Sequence, residues 1–238
     1  MLTINNLSKI YRGSDKGVKH FNLNLNAGDI CAFIGANGAG KTTTIKSIVG
    51  LHEYDEGEVI LSEINLKNNP EKFKSMLGYS PDSPTLYNNM TGKAYIELIA
   101  SLYNMSQSEL ESELTVLLKA LKFENAIYEL ISSYSHGMKQ RLILIGLLMH
   151  NPKLIILDEP FVGLDPNATG FLVEEMKRRA AMGSIIIYST HVLEVAEKIC
   201  NRIVIIDDSE VVMNDYMENI LSKNVSLTKV FADVTSNE

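Results

Sequence analysis

The sequence has no apolar run long enough to cross a membrane. Its longest uninterrupted runs, Leu142 to Met149, Leu154 to Leu157 and Ile185 to Tyr188, fall well short of the ~18 residues that a span needs. The opening MLTINNLSKIYRG lacks the basic start and apolar centre of a signal peptide. Cysteine is scarce. Cys31 lies in an apolar stretch and Cys200 late in a helical one, with no CxxC and no His–Cys pairing. Buried free thiols in a reducing cytosol are therefore expected, not a disulfide or a metal site. Positive charge is not in excess either: the formal net charge is −7, which argues against a general nucleic-acid binder. No repeat, low-complexity tract or flexible linker divides the 238 residues, a length that suits one large domain. What is present is 45% hydrophobic and 21% charged, the composition of a globular cytoplasmic protein with a substantial core.

Periodicity then sorts the chain. In HFNLNLNAGD, Phe21, Leu23 and Leu25 alternate with Asn22, Asn24 and Asn26, the period-two pattern of a half-buried antiparallel strand. Gly28-Asp29 turns the chain into ICAFI, a fully apolar strand. From Thr91 to about Leu121 the pattern is helical, with Thr91 as a cap and Ser106 and Glu109 at capping-box spacing. After Pro152 come strand LIIL, a helix over about Pro166 to Met182, strand SIIIYS, a helix over about Val192 to Asn201, and strand RIVIID. Apolar strands alternating with helices predict a mostly parallel sheet covered on both faces. The expected fold is α/β, with residues 1–80 and 152–225 as the core, an antiparallel β part near the N-terminus, a mostly helical insert over 81–151, and a short tail over 226–238.

Three groups of residues carry chemistry. GANGAGKTT, Gly35 to Thr43, fits GxxxxGK[ST] between strand ICAFI and helix KTTTIKSIVG. The glycines Gly35, Gly38 and Gly40 let successive amides of a loop that includes Asn37 and Ala39 turn inward around phosphate oxygens. Lys41 supplies a point charge for the β and γ phosphates, and the Thr42 hydroxyl is placed to ligate Mg²⁺. A glycine-rich turn with an incidental lysine is the alternative, and the strand–loop–helix context speaks against it. In KLIILDEP, Asp158 and Glu159 follow the strand at its carboxyl end, where ligands sit in an open parallel sheet. Asp158 is expected to hold Mg²⁺ through water, and Glu159 to orient and deprotonate the attacking water. His191 ends SIIIYSTH after the next strand, so it too faces the γ-phosphate position.

The third group is SYSHGMKQRL, Ser133 to Leu142. Ser135 can cap the Met138 amide, and Gly137 is expected to ease the turn. A helix start alone does not explain why so polar a loop precedes a helix as apolar as LILIGLLM.

Together these residues resemble the nucleotide-binding subunit of an ABC transporter across essentially the whole chain, and hence a P-loop NTPase ABC-type ATPase fold. GANGAGKTT is similar to Walker A, LIILDEP to Walker B, Gly163-Leu164-Asp165 to the D-loop, and STH ending at His191 to the switch histidine. Tyr11, in LSKIYRG ahead of the first hairpin, stands where the family stacks an aromatic ring on adenine. SYSHGMKQRL resembles the family signature, so Ser135 and the Gly137 amide would contact a γ-phosphate held by a second subunit's P-loop. ATP would join two subunits head to tail, and hydrolysis would release them, driving a separate membrane permease. The resemblance implies ATP and Mg²⁺ as ligands, a homodimer with a heterodimer as the alternative, no nucleic acid, and a peripheral position on the inner face of the cell membrane.

Two positions depart from the family pattern. His136 and Met138 replace a glycine and a glutamine of the signature, in a form that resembles drug, antibiotic and peptide exporters. Asp82, in LGYSPDSPTLYNNMTG, stands at the Q-loop glutamine; shorter and anionic, it would favour Mg²⁺, through water. Rival readings fare worse. A GTPase would show an NKxD-like base reader, and a kinase a lid with arginines. A soluble ABC-type ATPase acting on ribosomes or chromosomes would carry two ATPase units or a long coiled coil. A degenerate ATP-binding partner would not keep Lys41, Asp158, Glu159 and His191.

Overall fold

A computed structural model describes residues 1–14, 16–83, 85–222 and 226–235. The ends of the expected core and tail (223–225 and 236–238), and Pro84 of the Q-loop stretch, lie outside the described residues. The chain begins with β1 (Leu2–Ile10), β2 (Gly17–Leu25) and β3 (Ile30–Ile34), followed by α1 (Lys41–Ile48). Next come β4 (Glu56–Leu61), β5 (Ile64–Asn65), α2 (Pro70–Lys74) and β6 (Leu77–Ser80). The helices α3 (Gly92–Leu102), α4 (Gln107–Ala120) and α5 (His136–Leu148) precede β7 (Leu154–Leu157). Then α6 (Pro166–Ala181), β8 (Ile185–Thr190), α7 (Leu193–Ile199) and β9 (Arg202–Asp207) alternate. β10 (Glu210–Tyr216), α8 (Met217–Leu221) and α9 (Leu227–Thr235) follow, and two short 3-10 turns at Ala126–Tyr128 and Ile131–Ser133 lie between α4 and α5.

Two sheets form. The order β2-β1-β4-β5 is antiparallel throughout. The order β10-β9-β3-β8-β7-β6 is parallel from β9 to β6, with β10 added antiparallel at one edge. The continuous apolar strands are explained by what covers them. Cys31 and Phe33 of β3 face one buried cluster, with Phe21, Ile45 and Phe73, between the two sheets around α1. Ala32 and Ile34 face the other, with Leu142, Leu172 and Met176, under α5 and α6. Successive strand side chains point to opposite faces, so a strand covered on both must be apolar at every position. Cys31 and Cys200 are free and buried.

The helical insert has its own logic. Thr91 caps α3 by accepting from Ala94 N–H, and Ser106 and Glu109 form the reciprocal capping box of α4. α5 is buried from Leu142 to Leu148 without a polar stripe, because insert helices cover one side of it and β6 the other. The buried Arg179 ties the insert to the core, held in place by an ion pair within its own helix. Arg179 of α6 donates from Nε to Glu175 Oε1 at 2.5 Å and from Nη1 to Asn151 Oδ1 at 3.0 Å. Its Nη2 lies 3.9 Å from Glu113 Oε2 of α4. Beyond α8, residues 227–235 form α9, which packs Val230, Phe231 and Val234 on the second cluster.

Candidate nucleotide-binding site

The glycine-rich loop joins the end of β3 to α1. Gly40 caps α1 at φ 112°, a left-handed conformation that costs glycine nothing. The loop is also tightly enclosed. A Cβ at Gly35 would stand 2.2 Å from Ile206 O, and one at Gly40 2.4 Å from Gly17 O. Lys41 Nζ donates to the carbonyls of Gly35 at 2.7 Å and Ala36 at 3.0 Å. Burial lowers the Lys41 pKa, while the charges of Glu159 and Asp158 oppose that shift.

Both acids follow β7 at its carboxyl end. Asp158 is 1% exposed and accepts from Ser189 Oγ at 2.5 Å through Oδ1. Burial raises its pKa, and the Ser189 hydroxyl opposes the rise. The Thr42 hydroxyl faces this carboxylate, yet Oδ2 is buried without a hydrogen bond of normal geometry. Glu159 takes φ 48°, a left-handed conformation costing a non-glycine residue on the order of 1 kcal/mol. Its N–H donates to Ser189 Oγ at 2.9 Å, and its carboxylate oxygens lie 3.1 and 3.2 Å from His191 Nδ1. Ser189 was not singled out by sequence reasoning, although it orders both acids. The available signal was a pair of hydroxyls, Ser189 and Thr190, closing an apolar strand beside the acids; both prove buried.

The acids, Lys41 and the loop open onto a cleft of about 440 Å³. Its walls include Tyr11, Asn37, Gly38, Thr42, Thr43 and Asp82. Tyr11 lies in the turn between β1 and β2, within the first hairpin and not ahead of it. Its hydroxyl is 3.3 Å from Thr43 Oγ1 and 3.2 Å from His52 Nδ1, and His52 meets its ring edge-on at 5.9 Å between centroids. Lys16 and Gly17 line the same cleft and carry no motif. Asp82 is exposed, and its charge adds to the upward shift of Asp158. A hollow of about 510 Å³ beside Tyr103 and His150 holds none of the motif residues.

Ser135 and Gly137 are not in the cleft wall. Ser135 is exposed and caps α5, accepting from Met138 N–H at 3.3 Å. The expectation for Gly137 needs correction. It does not turn the chain; it lies in the first turn of α5, outside the left-handed region. It is small because it packs on Gly163, whose carbonyl oxygen would be 2.7 Å from a Cβ at position 137. A Cβ on Gly163 would in turn meet the His136 ring at 2.6 Å. Asp165 caps α6, accepting from Asn167 and Ala168 N–H at 2.9 and 3.2 Å, and forms an ion pair with Arg141 of α5. Those bonds, with that of Ala168 first, hold its carboxyl below its ordinary pKa. The signature-like loop and Asp165 thus form a second cluster, apart from the cleft.

Comparison with known proteins places the chain in a family. The ABC transporter family profile matches residues 18–162. The SkfA peptide export ATP-binding protein SkfE of Bacillus subtilis (strain 168) is 32% identical over 222 residues, spanning 91% of this chain and 90% of SkfE. A solved ATP-binding subunit of an ABC transporter superposes with a TM-score of 0.93 at 32% identity, covering 98% of this chain and 99% of that one. The ATP-binding cassette MJ0796, solved as a dimer in a post-hydrolysis state with ADP and Pi, shares the fold at a TM-score of 0.81 and 24% identity. That match covers 91% of this chain and 99% of the other.

Proposed function

The chain belongs to the ABC transporter ATP-binding family and is an ATPase, and from that premise we propose that it drives export through a separate membrane permease by ATP-dependent dimerisation. One observation supports this reading above the rest. Lys41, Asp158 and Glu159 share one cleft, while Ser135 and Gly137 stand on an exposed helix start outside it. A loop of that kind completes a site on another molecule.

In this reading ATP lies along the cleft, with its phosphates on the amides of Gly35 to Thr43 and its base beside Tyr11. Lys41 exchanges its bonds to loop carbonyls for phosphate oxygens. The glutamate takes the proton of the attacking water, and His191 fixes the carboxylate through Nδ1. Ser135, the Gly137 amide and the positive start of α5 meet the γ-phosphate bound by the second subunit, with Asp165 beside them. The residues present fit Mg²⁺: Asp158 Oδ2 is a buried carboxyl oxygen without a hydrogen bond of normal geometry, and Thr42 and Asp82 line the same cleft. When bound, the ion would neutralise developing phosphate charge.

The permease side is proposed from the segment 79–103. Tyr87, Leu98 and Leu102 are exposed there, at 61%, 36% and 67%. No helix among the described residues is long and apolar enough to cross a membrane, so the partner would supply the path and the subunit would sit peripherally on the inner face. Export is favoured by the likeness to SkfE. The test is light scattering on a Glu159→Gln variant with and without Mg-ATP. A shift from monomer to dimer only with nucleotide supports the proposal. A monomer under both conditions would sink the homodimer reading. Capture of a membrane protein from detergent extract, and not of ribosomes, tests the permease.

A further inference from the structure

Asp208 and Ser209 form the turn between β9 and β10, with φ 38° and 71°. Glycine or asparagine is the ordinary occupant of such a position. Ser209 is neither, and it is 1% exposed. Its backbone N–H donates to Ala39 O of the phosphate loop at 3.0 Å. Its Oγ accepts from Gly17 N–H at 3.0 Å, across 192 residues of sequence, and its carbonyl accepts from Lys19 N–H at 2.8 Å. Lys16, next to Gly17, accepts in turn from Tyr11 N–H at 3.1 Å, and its own N–H donates to Ser14 Oγ at 3.0 Å. A hydrogen-bonded path therefore runs from Ala39 through Ser209, Gly17 and Lys16 to Tyr11. It joins the phosphate side of the cleft to its base side.

We propose that Ser209 is a positioning residue for nucleotide binding: its hydroxyl holds the Tyr11–Gly17 wall at a fixed separation from the phosphate loop. The two sides depend on different atoms of one residue. The bond to Ala39 uses the main chain and survives any side-chain change. The bond from Gly17 uses Oγ alone, and losing it leaves a buried N–H unpaired. Removing the hydroxyl should loosen the base-side wall and leave the phosphate loop in place. This inference rests on the reading of Tyr11 as the base-side wall.

Isothermal titration of the whole chain with Mg-ATP and with Mg-tripolyphosphate separates the two sides. Ser209→Ala keeps a Cβ and deletes only the oxygen. It should weaken Mg-ATP binding by about fivefold, the scale of one net hydrogen bond, and leave tripolyphosphate binding unchanged. Ser209→Gly, which relieves the backbone and also lacks Oγ, should show the same selective loss. In a Tyr11→Ala background the Ser209→Ala change should no longer alter Mg-ATP affinity. Equal losses for both ligands, or no loss for either, would overturn the role given to Ser209. If Tyr11→Ala itself leaves Mg-ATP binding intact, the base-side reading of Tyr11 fails instead.

Discussion

The two halves of the proposed reaction site are built in opposite ways. Asp158, Lys41 and the base of the phosphate loop are buried, and the loop and its acids are fastened by hydrogen bonds to β6, β8 and the turn after β9, with Glu159 set at a conformation that only firm surroundings maintain. The signature-like loop exposes Ser135 and His136 and is held at its base, by the Ser135 cap, the Gly137–Gly163 contact and the Arg141–Asp165 pair among other bonds. The first half is preorganised to receive a charge. The second is a presented edge, and its small residues keep backbone amides accessible.

That contrast can be broken from either side. The largest effect should come from Glu159→Gln, which removes the proposed base and should slow hydrolysis by about 10²–10⁴-fold in a steady-state phosphate-release assay. Nucleotide binding should persist, because Lys41 and the loop are untouched. Ser135→Arg attacks the other half. It should lower hydrolysis by about 10²–10³-fold, the scale of one lost transition-state donor, while titration of the monomer with nucleotide stays within twofold. Weakened monomer binding would show that Ser135 serves its own cleft after all.

A smaller effect should follow from Arg179→Ala. Deleting one partner of a buried pair costs about 3 kcal/mol when the other charge stays behind, and here Arg178 still serves Glu175. Urea midpoints should fall accordingly, and the insert that carries the exposed loop should become more sensitive to protease than the core. The smallest change should be a gain. Burial raises the Asp158 pKa, so its ionised form costs stability, beginning as pH rises through the ordinary carboxylate range near ~4 and in full above the folded value. Asp158→Asn removes that cost and should raise the melting temperature at neutral pH by about 2–4 °C for a gain on the order of 1 kcal/mol, with no such gain at acid pH. An unchanged midpoint would mean that the Ser189 bond already offsets the burial.

What could be read from sequence follows the same division. The phosphate loop and the acids were legible because their chemistry is packed into contiguous motifs next to apolar strands. The parallel strands were legible because burial on both faces leaves a continuous apolar run. β1 and β10 were not singled out. β1 is bulged, with register shifts at Ile4/Leu7 and Leu7/Lys9, so its alternation is broken. β10 is an edge strand that exposes Val212 and Tyr216. Ser189, Ser209 and His52 matter through neighbours 30 to 192 residues away, a relation that no local pattern records.

The burial of α5 has a mechanical consequence. The helix has 13 residues, which makes it about 20 Å long at 1.5 Å per residue. It is gripped along its length by the insert on one side and β6 on the other, while its start exposes Ser135 and His136 to solvent. A body clamped in that manner cannot bend to absorb a load; it tilts or slides with its collar. Thrust applied to α3 would therefore emerge at Ser135 as displacement, and a pull on Ser135 would return to α3 along the same shaft.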